Sequence, residues 1–111
     1  IVSIPGPHDS IMAGLNCGTP SVVAWADVSR GYDVYLAIPD DRARDGMRSL
    51  ARAGIVSGET GAAGLGGLTE VLANAHTRRD LHIDAGSSVL LLSTEGATDP
   101  EAYERIVAGG Q

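Results

Sequence analysis

The chain contains no lysine: all eight of its basic residues are arginines. That excludes a phosphate-binding P-loop, in which a lysine reaches the phosphates. It also excludes chemistry that needs a side-chain primary amine as nucleophile. There is no phenylalanine and only one tryptophan, so the 43% apolar fraction is built from small and aliphatic side chains. Elements made from them can pack closely but have little volume to fill space. The single cysteine, Cys17, cannot close an intrachain disulfide, which fits a reducing, cytoplasmic setting. No apolar run approaches the ~20 residues of a membrane span. The start, Ile1 to Pro5, has no basic segment of the signal-peptide kind and reads as a chain cut from something longer. With a net charge of −6 and no basic run denser than Arg78-Arg79, neither nucleic acid nor an anionic membrane is expected as a partner. His8, His76 and His82 show no paired spacing with each other or with Cys17, so no metal site is expected.

What is present alternates. Residues 1–10 are broken by Pro and Gly and read as extended. Thr19-Pro20 reads as N-cap and first position of a helix that Gly31 stops. Val34 to Ile38 is a β-prone run, hence a predicted strand. Asp40 and Asp41 are expected to cap a second helix with Ala43, Met47 and Leu50 on one face and Gly54 as terminator. Ile55-Val56 reads as a very short strand or a buried turn. A third helix is expected from about Gly61 to Ala75, with Leu65, Leu68 and Leu72 on a shared face and glycines permitting close backbone approach. Thr77 to Gly86 is polar and turn-like. Ser88 to Leu92 is continuously apolar, the pattern of a strand covered on both faces of a parallel sheet. Asp99-Pro100 opens a last helix with Tyr103, Ile106 and Val107 on its apolar side and a Glu101–Arg105 pair on its surface. Met12, Met47 and Trp25 are expected in the core. Strands alternating with helices predict one α/β domain over residues 1–111 with no internal boundary.

Two loops could carry chemistry. In open α/β sheets, ligands lie beyond the carboxyl ends of strands. Ser93-Thr94-Glu95-Gly96 takes that place after the 88–92 run, and a hydroxyl there can bond a ring nitrogen. The same loop also reads as a plain connection whose Thr98 or Asp99 caps the next helix. Ser57, Glu59 and Thr60 flank a helix N-terminus, where free N–H groups attract anions. Glu59 could equally satisfy those groups as a cap. The glycines at 58, 61, 64, 66 and 67 do not form a dinucleotide fingerprint. Cys17 reads as an activated thiol or as a small buried hydrophobe.

Four ordered motifs go beyond a generic α/β pattern. They are Ser10 to Ser21 with Ala24-Trp25 behind it, Ala43 to Gly54 in the pattern A-x-x-x-M-R-x-L-A-x-x-G, Ser57-Gly58-Glu59-Thr60-Gly61-Ala62-Ala63-Gly64, and Ser93 to Pro100. Over residues 10–107 the chain resembles the diaminopropionate ammonia-lyases. These belong to the fold-type II pyridoxal-phosphate enzymes, with the tryptophan synthase β-subunit and threonine dehydratase. The resemblance implies the C-terminal part of the large cofactor domain, a partial three-layer parallel sheet with flanking helices. It implies pyridoxal 5'-phosphate in a longer parent protein and α,β-elimination of 2,3-diaminopropionate to pyruvate and ammonia.

Carried over residue by residue, the family serine that meets the pyridine nitrogen falls on Ser93, with Thr94 beside it. The family glutamate close to the cofactor falls on Glu59, followed by Thr60. Asn16, Cys17 and Gly18 would line the substrate pocket. No catalytic residue transfers, because the Schiff-base lysine, the Gly-rich phosphate loop and the acid/base carboxylates belong to upstream sequence. The expectation is therefore a fragment, inactive alone, of a homo-oligomeric cytoplasmic lyase acting on a small amino acid. The competing expectations are a self-standing, non-catalytic ligand-binding or interaction module derived from such a domain and, ranked below it, an α/β nucleotide binder.

Overall fold

A computed structural model describes residues 1–111. A 3-10 turn at Ala13–Leu15 is followed by five α-helices: α1 (Val22–Gly31), α2 (Asp40–Arg52), α3 (Glu59–Ala73), α4 (Ala75–Asp80) and α5 (Pro100–Val107). The core lies where α2, α3 and α5 meet. Met47, Ala62 and Ile106 are buried there, with Leu50 and Tyr103 packed against them. Ala43, Met47 and Leu50 recur at helical spacing, so α2 turns one stripe inward. Full burial of a Met47-sized side chain stabilises by ~1.5–3 kcal/mol.

Backbone proximity, rather than large side chains, joins α2 to α3. A Cβ built on Gly46 would stand 2.7 Å from the Ala62 carbonyl oxygen, and one on Gly66 2.6 Å from that of Arg42. Each helix thus presents a glycine to the other's main chain. The buried positions of α3 are Gly61, Ala62, Gly66, Gly67 and Val71. Of the leucines expected to share a face, Leu65 and Leu68 are half-buried and Leu72 is 41% exposed.

The helix ends follow local chemistry. Asp99 caps α5 by accepting from Ala102 N at 3.0 Å, with Pro100 in the first turn. At the end of α2, Gly54 adopts φ +77°, Ile55 N donates to Leu50 O and Gly54 N to Ala51 O. That is the paired-bond C-terminal motif that favours glycine in the left-handed region. The same pair of bonds closes α4 around His82, a non-glycine residue at φ 54°. Arg48 anchors the far end of α5, donating to Ile106 O at 2.9 Å and Gly110 O at 2.8 Å.

Several expectations are corrected. The predicted partial parallel sheet is absent: the chain holds no strand. Residues 34–38 and 88–92 make no backbone hydrogen bonds at all. A strand exists only through pairing with a neighbour, and neither run lies beside one here. The residues Ser88 to Leu92, expected to be covered on both faces, are open, with Leu90 84% exposed. Ile55 and Val56 likewise form neither strand nor buried turn. The cap of α1 is Ser21, which accepts from Ala24 N, rather than Thr19. Pro39, not Asp40 or Asp41, occupies the N-cap of α2; the two aspartates lie in its first turn, Asp40 accepting from Ser10 and Ile11 and Asp41 from Arg44. The stretch from Thr77, expected to be turn-like, runs within α4 as far as Asp80. Met12 and Met47 are buried, but Trp25 is 39% exposed. Arg105 reaches the Gln111 carbonyl rather than Glu101.

Candidate functional site

The site forms where the start of α3 meets the loop after residue 92. Ser57 lies just before Gly58, the N-cap of α3, and is fully buried. Its Oγ is 2.8 Å from Ser93 Oγ. Gly58 N donates to the Glu95 carbonyl at 3.2 Å, and Thr60 N donates to Glu95 Oε1 at 2.7 Å. Helix N-termini leave their first N–H groups without intrahelical partners. Here one residue, Glu95, takes two of the N–H groups from the start of α3, one through its main chain and one through its side chain. Its negative charge at the positive end of the helix adds to the attraction.

Two glycines make this approach possible. A Cβ on Gly58 would collide with the Gly96 carbonyl oxygen, and one on Gly61 would lie 2.6 Å from Ser57 Oγ and 2.7 Å from Glu95 O. The spacing of Gly58 and Gly61 in the sequence therefore reflects contact with residues 95 and 96.

A third segment joins through Thr60, whose Oγ1 accepts from Gly14 N at 3.0 Å. The 10–16 segment is also pinned to the start of α2. Asp40 accepts from Ser10 Oγ at 2.6 Å and from Ile11 N at 3.2 Å.

The sequence-predicted residues divide into three groups. Ser93 and Thr60 are brought into one cluster, linked through Glu95. Glu59 opens α3 and its carboxylate makes neither a hydrogen bond nor an ion pair; Thr94 is exposed, and its hydroxyl is likewise without a partner. Asn16, Cys17 and Gly18 bond within their own neighbourhood. Asn16 Nδ2 donates to Ser10 O, Cys17 Sγ to Thr19 O, and Gly18 O accepts from Ile4 N. Cys17 is exposed, so it is not the small buried hydrophobe that one reading proposed. No group of His, Cys, Asp and Glu is arranged to hold a metal ion. No helix is long and apolar enough to cross a membrane.

Glu95 and the pairing of Ser57 with Ser93 were not singled out by sequence. All three residues fall within the quoted motifs, Ser57 before Gly58 and Ser93 and Glu95 before Gly96, but nothing in the sequence says that the two motifs touch.

The donor set fits one end of a pyridoxal ring and no more. Ser93 offers an exposed hydroxyl, already held from behind by a buried partner, which suits a ring nitrogen. The carbonyl end of the group needs an amine, and the chain contains no lysine.

The sequence pattern of the pyridoxal-phosphate dependent enzymes matches residues 2–95, and the chain belongs to that family. Within the family it is similar to the diaminopropionate ammonia-lyase of Salmonella typhimurium (strain LT2), 39% identical over 117 residues, covering 97% of this chain and 29% of the relative. It is 36% identical over 121 residues to the diaminopropionate ammonia-lyase of Escherichia coli (strain K12), covering 100% of this chain and 30% of that protein. The resemblance read from the four motifs is thus borne out along the whole chain. The chain spans about three-tenths of the length of these curated relatives.

Proposed function

We propose that this chain forms the ring-nitrogen side of the cofactor pocket in a pyridoxal-phosphate dependent ammonia-lyase that eliminates ammonia from 2,3-diaminopropionate to give pyruvate. The observation that carries the reading is the Ser57–Ser93 pair, which holds an exposed hydroxyl at the end of an apolar run. Whole-chain similarity to diaminopropionate ammonia-lyases supports the choice of substrate.

When bound, the cofactor supplies an electron sink for the charge left at Cα as the α-proton departs. Ser93 would donate its hydroxyl hydrogen to the ring nitrogen and, being neutral, would not favour protonation there as a carboxylate would. A milder sink of this kind suits β-elimination better than transamination. Thr94, exposed beside Ser93, would contribute to the same end of the cofactor site. Glu59 and Thr60, at the start of α3, shape the pocket wall, and Asn16, Cys17 and Gly18 line the substrate side. The α-proton is assigned to no residue of this chain, because neither the Schiff-base lysine nor the acid/base carboxylates of the family match a position in it.

The test is substitution in the full-length enzyme. Ser93→Ala is expected to shift the cofactor absorption and lower kcat by ~10-fold or more in a protein that still folds, and, because it strips the buried Ser57 hydroxyl of its partner, to cost ~1–3 kcal/mol of stability. An effect of Thr94→Ala with a silent Ser93→Ala would move the assignment by one residue. Silence of both would sink it.

A further inference from the structure

We infer that Ser57 is a positioning residue that fixes the direction of the Ser93 hydroxyl hydrogen, making Ser93 a committed donor toward the ligand. This rests on the proposed function and adds to it a residue that does not itself touch the cofactor.

The argument is one of hydrogen-bond satisfaction. A serine hydroxyl carries one hydrogen and two lone pairs. Ser57 is completely buried, and Ser93 Oγ, at 2.8 Å, is its only side-chain hydrogen-bond partner. Were Ser93 to donate in this pair, the Ser57 hydrogen would be buried with no acceptor, and an unsatisfied buried polar group is costly. Were Ser57 to donate, its hydrogen would be satisfied. The Ser93 hydrogen would then be free on the exposed side.

There the intramolecular competitor is weak. The Glu95 carbonyl lies 3.4 Å from Ser93 Oγ, long for a bond between a hydroxyl and a carbonyl. That carbonyl already accepts from Gly58 N. A ring nitrogen presented to Ser93 therefore meets a hydrogen that has no strong prior engagement. Donation from Ser57 also polarises the Ser93 hydroxyl and makes it a better donor, as in any hydrogen-bond chain.

The glycine at 61 protects this arrangement. A side chain there would stand 2.6 Å from Ser57 Oγ, displacing the hydroxyl from its line to Ser93.

Neutron diffraction from crystals of the unaltered full-length enzyme tests this directly, without cofactor and with it. The expected result is a hydrogen on Ser57 lying between the two oxygens in both states. A hydrogen carried by Ser93 and pointing at Ser57, or one divided between the two, overturns the inference. A second measurement follows the cofactor with its ring nitrogen labelled with nitrogen-15. Ser57→Ala is expected to move that resonance part of the way that Ser93→Ala moves it, toward a nitrogen lacking a donor, with kcat down about 3–10-fold. If Ser93→Ala moves the resonance and a folded Ser57→Ala does not, the positioning role fails and the proposed function stands. If Ser93→Ala leaves it unmoved, the proposed function itself fails. Should Ser57→Ala not fold, the neutron result decides alone.

Discussion

Across 35 positions of sequence, the carboxylate of Glu95 accepts the main-chain N–H of Thr60 at 2.7 Å, while its own carbonyl accepts from Gly58. The loop that carries Ser93 is thereby fastened to the start of α3 by one residue acting twice. Glu95→Ala removes an N-terminal cap supplied from a distance, and caps of this kind are worth ~0.5–2 kcal/mol. The expected outcome is a lower denaturant midpoint with unchanged slope. Glu95→Gln keeps an acceptor and should recover more than half of the loss.

The α2–α3 contact predicts opposite effects for two substitutions in one helix. Gly66→Ala places a methyl group against the Arg42 carbonyl and should destabilise by ~1–3 kcal/mol, the usual range for overpacking. Gly64→Ala meets only the Leu91 side chain at 3.7 Å. It should be neutral or stabilise by up to ~1 kcal/mol through helix propensity. Equal effects in chemical denaturation would argue against the close approach.

His82 holds a left-handed conformation at the end of α4. Glycine adopts that conformation without the Cβ penalty, so His82→Gly should stabilise by up to ~1 kcal/mol. A loss of stability would mean that the imidazole contributes more than the backbone strain costs.

The isolated 111-residue chain should associate in solution. Leu90 and Leu92 are open, as are Val22 and Val23 on α1, and together they leave apolar surface of the kind that drives self-contact. Light scattering should report species larger than a monomer. A monodisperse monomer with cooperative unfolding would oppose this.

The isolated chain should also release no pyruvate from 2,3-diaminopropionate when supplied with pyridoxal phosphate. It lacks the lysine amine, and arginine stays protonated and so cannot replace it. Turnover by the purified chain would overturn the assignment of the missing chemistry to other sequence.

What could be read from the sequence was mostly local. Asp99-Pro100 and Gly54 act through their own turns, and both did what their neighbours dictate. The stripe Ala43, Met47, Leu50 is set by helical period alone. The strands were not recoverable in the same way. Ser88 to Leu92 has the composition of a buried strand, but pairing is a relation between segments, and here the run stands without one. The close backbone approach expected of the α3 glycines is found at Gly66, against Arg42, but the sequence did not say which helix they would meet or that Gly46 of α2 would answer them. Ser93 was legible through a family motif. Ser57 and Glu95 stood in the two candidate loops, but the bonds that join those loops were not legible, because contacts spanning some 35 residues leave no periodic mark.

Thr60 has a consequence of a different kind. Its N–H answers to Glu95 and its hydroxyl to Gly14, so a single residue is the relay between the loop before α1 and the loop that bears Ser93. Thr60→Val would keep the shape and the N–H yet silence the hydroxyl. The turn at Ala13–Leu15 would then be held to α3 by packing alone, and hydrogen exchange at the Gly14 amide should quicken.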